Sequence, residues 1–284
     1  MNYFWTNTIW YVLLGALTIF EVIISIINAK RRKFAFAFYM TLVGQVLFFE
    51  SLILIVFRAY NYYPMIIRTS PFDDVLAGNL FSQFSVASTA LLVAVLNLEY
   101  YWIFILSGLY GLIEELFLSL GIYSHNWYQT WMTLVSLIIY FWWAKKNYIK
   151  GLEGIKPLRY YSYIILGLFP LDVVTLLWGF ILSGYQTYTR GFMPDSVRSP
   201  YVVTVLYYLF VAIIMVLIYF LRLKWRWKST VILLIYGVNF LGYKLHILYF
   251  FNTWWFIIFS TVSIFSIYFS IALLDYLFKT SKSV

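Results

Sequence analysis

The chain has 284 residues, of which 63% are hydrophobic, 23% aromatic and only 11% charged, with a formal net charge of +9. Soluble domains carry roughly 25% charged residues, so the composition excludes a water-soluble globular protein and fits a polytopic membrane protein. Cysteine is absent, which excludes disulfides, thiolate-ligated zinc, iron–sulfur clusters and a thiol nucleophile.

A helix needs about 20 apolar residues to cross the hydrocarbon core, and the chain reads as nine such spans. The first, 8–29, follows Thr6-Asn7-Thr8-Ile9-Trp10 and carries Glu21. No basic region precedes it, so a cleavable signal peptide is not expected. The second, 34–58, carries Gln45 and Glu50. A Tyr-rich loop, 59–79, holds Arg68, Pro71 and Asp73-Asp74. The third and fourth spans, 80–98 and 101–122, are separated only by Asn97-Leu98-Glu99, and the fourth carries Glu114-Glu115. His125 lies in the next loop. The fifth span is 128–144, and the sixth, 160–184, contains Pro170 and Asp172. A second Tyr-containing loop, 185–199, holds Arg190, Pro194 and Asp195. The seventh span is 200–221. The eighth, 229–250, carries Asn239, Lys244 and His246, and the ninth is 254–277, with Asp275 near its inner, interfacial edge.

The basic residues test this count. With the N-terminus outside, the inner ends hold Lys30-Arg31-Arg32-Lys33, then Lys145, Lys146, Lys150, Lys156 and Arg159, then Arg222, Lys224, Arg226 and Lys228, then Lys279 and Lys282. These are fifteen of the 20 Lys and Arg. Arg58, Arg68, Arg190 and Arg198 fall outside, and Lys244 lies within a span. This positive-inside bias predicts an N-out, C-in topology and accounts for the net charge without nucleic-acid binding. Lys224-Trp225-Arg226-Trp227-Lys228 alternates cation and indole, as an anchor to anionic headgroups does.

The chain also repeats itself. Tyr110-Gly111 opens a run that closes at Asn126-Trp127, and Tyr236-Gly237 opens one that closes at Asn252-Thr253-Trp254. Arg68, Pro71 and Asp73 are echoed by Arg190, Pro194 and Asp195. The expected architecture is therefore all-α: an N-terminal helix (1–33) and two four-helix repeats (34–150 and 151–284). Four spans is an even number, so the repeats are parallel rather than inverted. The Asn/Thr-Trp start of the first helix is either a residual half-unit or convergence on interfacial residues. In the two loops, Pro breaks the preceding structure and Asp is expected to cap the following helix.

A charge at the bilayer centre costs about 2.5–3.5 kcal/mol on insertion scales, so each one is a functional candidate. Glu114 and Glu115 diverge by about 100° around their helix. Ser107, Gly111, Glu114 and Leu118 share one face, and the small residues Ser107 and Gly111 let another helix approach. One carboxylate is thus expected in a packed seam and the other beside it or toward a cavity. The pair suits a proton relay, a cation site or a carboxylic acid hydrogen-bonded to a neighbouring helix. Lys244 lies on the counterpart helix, and an ion pair with Glu114 or Glu115 would relieve both desolvation penalties. His246 falls nearly opposite Lys244. Glu50 and Asp172 occupy counterpart helices, and Pro170 can kink its helix and free backbone carbonyls. Glu21 reads as a lone polar contact. Two His and no Cys, with no His-Glu-x-x-His spacing, predict no metal. No phosphate-binding glycine loop, Gly-x-Ser-x-Gly elbow or dinucleotide fingerprint occurs, so no cofactor is expected.

The Tyr-x-Tyr…Pro-x-Asp loop, the intramembrane Glu and Gly121-Ile122-Tyr123-Ser124-His125-Asn126-Trp127 together resemble a family of uncharacterised small multi-pass proteins of endospore-forming Firmicutes. The resemblance covers 34–150 best; the second copy lacks the Glu pair and the His. It implies a bacterial plasma membrane and a sporulation context, and no catalytic activity. Three functions stay open. The first is binding or transport of an ion or small solute near Glu114, Glu115 and Lys244, with Glu50, Asp172, His125 and His246 as further candidates. The second is a non-transporting subunit with a membrane-protein partner. The third, and least expected, is an intramembrane lipid-modifying enzyme using His125 and the Glu pair.

Overall fold

Apolar runs satisfy their backbone internally only as helices, and a computed structural model of the protein is built accordingly. It describes residues 3–176, 179, 186–189, 191, 194–221 and 223–279. Arg190, Arg222, Lys282 and most of the outer end of the predicted sixth span lie outside the described residues. Nine α-helices occur among the described residues: α1 (Ile9–Asn28), α2 (Arg32–Glu50), α3 (Pro71–Val95), α4 (Tyr100–Ser119), α5 (Thr130–Glu153), α6 (Pro157–Leu168), α7 (Ser199–Phe220), α8 (Trp225–Lys244) and α9 (Thr253–Lys279). Wider π-helical turns extend three of them, at Phe4–Thr8, Ser51–Val56 and Phe169–Val174. Pro170 falls within the last of these, so it widens the helix there. Six helical segments are long and apolar enough to cross a membrane: Phe4–Asn28, Arg32–Val56, Pro71–Val95, Tyr100–Ser119, Ser199–Phe220 and Thr253–Lys279. This is an all-helical architecture of membrane character.

Two three-residue antiparallel ribbons interrupt the helices, and neither was anticipated. Strand β1 (Tyr60–Tyr62) pairs with β2 (Tyr123–His125), and β3 (Gln186–Tyr188) with β4 (Leu248–Phe250). The predicted eighth span overran into β4. Helix α8 stops at Lys244 because His246 adopts φ 55° and Ile247 N–H bonds back to Gly242 C=O at 2.9 Å. That is the 6→1 closure of a Schellman stop, whose left-handed residue is usually Gly. Gly121 (φ 68°) performs the same stop for α4, with Ile122 N–H bonding to Phe117 C=O at 3.1 Å. His246 is thus an exposed helix terminator stacked on Tyr249, past the end of α8 rather than within it. Glycine adopts φ > 0 without the side-chain clash but costs more entropy. His246→Gly should therefore shift stability by less than about 1 kcal/mol, read as a thermal midpoint within about 4 °C of the unmodified protein.

Two other boundaries differ from the hydropathy reading. Helix α3 begins at Pro71, nine residues early, because Pro at the first position is preorganised for a helix and its polar first turn is satisfied by tertiary partners. Ser70, the N-cap residue, makes no side-chain cap, and Asp74 does not cap the helix as expected. Its carboxylate accepts the loop N–H groups of Met65, Ile66 and Ile67 at 2.9, 2.7 and 2.8 Å. Asp73 accepts the hydroxyl of Tyr201 on α7. Helix α5 continues to Glu153, since Lys145, buried, donates to Leu98 C=O at 2.6 Å and so ties the α3–α4 break to the bundle.

Helix α3 forms the centre of the first half, packed on α1, α2 and α5, with α4 outside on α5. Helices α6, α7 and α9 form the second half, and α8 leans on α9 and β4. The halves join chiefly through α2 against α6. There Thr41 Oγ1 donates to Tyr163 C=O at 3.0 Å, and Gly44 lies directly against the backbone of Leu166. At the ribbon end, Arg198 donates to Leu54 C=O at 2.7 Å and to Asn61 at 3.2 Å, while Asp195 pairs with Arg58 at 3.0 Å. The basic segments gather at the opposite end, where Phe34, Tyr148, Tyr163 and Phe278 interlock. Asp275 is buried there, accepting from Tyr160, Tyr219 and Lys279 rather than facing an interface.

Candidate functional site

Strand side chains alternate faces, so Tyr60 and Tyr62 point the same way while Asn61 points away. The register places His125 opposite Tyr60 and Tyr123 opposite Tyr62. These four side chains therefore share the inner face of the first ribbon. Beneath it lies a cavity of about 420 Å³, within the range of about 300–1,000 Å³ usual for small-molecule sites. Tyr60, Tyr62 and Tyr123 roof it; Ser82, Gln83 and Val86 of α3 form the back. The Tyr140 hydroxyl, donating to Leu42 C=O at 3.0 Å, bridges α5 to α2 below. Between roof and bridge the cavity opens sideways past Phe49 and Ile139, which are 51% and 59% exposed.

Two acids line this cavity, Glu50 and Glu114, and no Lys, Arg or His does so among the described residues. Glu50 is buried at the end of α2, where the Tyr60 hydroxyl lies 2.5 Å from both carboxylate oxygens. Burial, and next the Glu50 charge, hold the Tyr60 phenol well above its ordinary range. Tyr62 is raised by the same two causes in the same order, and burial is the leading cause for Tyr123. The roof phenols therefore stay protonated donors. Glu114 Oε1 lies 2.6 Å from His125 Nε2, just behind the cavity wall. His125 is held by Tyr123 and Tyr128, with ring centroids at 5.2 and 6.0 Å. Glu50 and Glu114 are near enough to feel each other's charge. Gln45 also lines the cavity, and its buried Oε1 has no hydrogen-bond partner.

The structure thus brings Glu50, Glu114 and His125 together with Gln45 and separates the other candidates. Glu115 points outward and accepts from Thr130 at 2.5 Å. Ser107 and Gly111 are buried as expected, with α5 approaching Gly111 through Leu134. Lys244 does not meet the Glu pair. Helix α4 packs on α5, and α8 on α9, so Lys244 is exposed with its ammonium 5.6 Å from the Phe240 ring. Asp172 is buried on the π-helical turn that packs against α9. Asn239 bridges Tyr207 and Ser260. Glu21 is not a lone contact: it accepts from Ser88 at 2.6 Å and Thr89 at 2.8 Å, and Thr89 continues to Tyr110 at 2.8 Å. No group of three or more His, Asp or Glu is arranged for a metal among the described residues. The roof tyrosines were missed as site residues, although the alternation Tyr60-Asn61-Tyr62 carried the signal.

No protein-family model, curated protein or solved structure matches this chain. Because Glu115 lies off the cavity, Glu115→Gln should leave ligand binding within about twofold of the unmodified protein, whereas changes at Glu50 or Glu114 should not. Parallel titration of the three variants checks this.

Proposed function

We propose that the protein is a polytopic membrane protein that binds, and passes, a small amphipathic monocation, a protonated amine on an apolar body. The observation that carries this is the charge balance of the cavity. Glu50 and Glu114 bring two carboxyl groups to the cavity, and no Lys, Arg or His lines it among the described residues. His125 faces Glu114 from behind the wall, which leaves Glu50 with the Tyr60 hydroxyl and no cationic partner among the described residues. A low-dielectric pocket with one uncompensated negative charge favours one positive charge. Nine aromatic side chains, Tyr60, Tyr62, Tyr123, Tyr128, Tyr140 and Trp143 among them, line the same space, and ring faces attract cations. The unpaired Gln45 Oε1 is a ready acceptor for an ammonium N–H.

In the same proposal, nine helices cross the membrane with the ribbon end outside and the basic end inside, as the distribution of Lys and Arg supports. The two halves are a diverged tandem duplication. Supporting this, α4 and α8 are each 20 residues long and each ends in a Schellman stop leading into a ribbon strand. On that alignment Glu114 is matched by Asn239 and His125 by Phe250, so the acid–imidazole pair belongs to the first half alone.

The test is calorimetric titration of the purified protein with 2-phenylethylammonium and with neutral 2-phenylethanol. At least a tenfold preference for the cation supports the reading. Equal affinities overturn it.

A further inference from the structure

A second cavity, of about 410 Å³, lies at the basic end between the last turns of α5 and the first turns of α6. Lys146, Lys150 and Arg159 line it, with Trp142, Trp143 and Leu166. No carboxylate does so, and none of the three cations is in an ion pair among the described residues. The nearest acid along the chain, Glu153, is exposed and lines no part of it, and Asp275 is committed to Tyr160, Tyr219 and Lys279. Lys146 is already ordered over the Trp142 ring at 4.5 Å. Three like charges converging on one cleft repel one another unless an anion is present. The N-terminus of α6, opened by Pro157, adds its positive dipole end nearby.

We infer that this cleft is a binding site for a phosphate group. The two indoles suit the headgroup depth of a bilayer, Leu166 offers an apolar wall, and basic pockets between membrane helices hold anionic headgroups. A phospholipid headgroup and free phosphate share this recognition chemistry, and the experiment separates them. It adjoins the first cavity at Trp143 but takes its charge from Lys146, Lys150 and Arg159 rather than from Glu50 or Glu114, so either site can fail without the other.

The full chain in detergent is titrated with dioctanoyl phosphatidic acid, inorganic phosphate and dioctanoyl phosphatidylcholine, with native mass spectrometry as readout. Phosphatidic acid should bind at least tenfold tighter than phosphatidylcholine. The triple variant Lys146→Gln, Lys150→Gln, Arg159→Gln should lose at least tenfold, and Lys30→Gln, Arg32→Gln, Lys33→Gln, which removes equal charge at exposed positions outside the cleft, should lose under twofold. The single exposed change Lys150→Gln, which leaves the packing intact, should lose about threefold. Weak inorganic phosphate binding then assigns a lipid; inorganic phosphate binding as tightly, with the same sensitivity to the cleft residues, assigns free phosphate. Equal losses in the two triple variants, or no phosphate-selective binding, overturns the site.

Discussion

Replacing Gly44 with alanine should cost the protein upwards of about 3 kcal/mol, the high end for forcing an extra carbon into a packed interface. A Cβ built there falls 1.7 Å from Leu166 O and 2.6 Å from Leu166 C. Those are backbone atoms of α6, so no rotamer change relieves the clash and the two helices must separate. Since α2 against α6 is the main junction of the halves, the loss should be global: a fall in thermal midpoint of roughly 6–12 °C on the usual scaling for a large domain. Small residues at membrane helix interfaces exist for such close approaches. The control is Gly108→Ala, where a Cβ would meet nothing within 4 Å. That change should be neutral or stabilising by up to about 1 kcal/mol. Equal midpoints for the two variants would contradict the packing described.

The second large effect is on binding. Glu50→Gln keeps an oxygen to accept from Tyr60 but removes the cavity's uncompensated charge. A hydrogen bond to a charged group is worth about 1.5–3 kcal/mol, so affinity for 2-phenylethylammonium should fall roughly 10- to 100-fold. Affinity for 2-phenylethanol should stay within about twofold. Titration of the variant against both probes reads this, and an equal loss for both would mark a structural rather than an electrostatic role. Glu114→Gln should weaken the cation as well, because it removes the carboxylate partner of His125.

The helices were largely legible because an apolar run of sufficient length has only one way to satisfy its backbone. What escaped was decided by tertiary partners. The start of α3 was hidden by Asp73, Asp74, Asn79 and Gln83, polar residues that are buried in the fold. The ribbons were hidden by their length, three residues each. Glu50 and Glu114 were each visible as costly intramembrane acids, but their convergence depends on how α2, α3, α4 and α5 pack, which spacing along one helix does not encode. The same reason misassigned Lys244, whose helix lies in the other half. Gly44 carried a readable signal, since Ala37, Thr41 and Gly44 form a small-residue stripe on α2. His246 was misread because a left-handed stop is a backbone property, and Gly121 was the clue to it.

Glu50 and Glu114 should make the cavity selective for positive charge, and a thiol on its wall reads this directly. The chain has no cysteine, so Ser136→Cys places a single thiol on the cavity wall, at an exposed position. The measurement is the reaction rate of that thiol with a trimethylammonium-bearing methanethiosulfonate and with its sulfonate-bearing counterpart. The cationic reagent should react at least about tenfold faster, and Glu50→Gln should remove most of the difference, one charge in a low-dielectric site being worth at least about 1.4 kcal/mol. Equal rates for the two reagents, or a preference unchanged by Glu50→Gln, would contradict it.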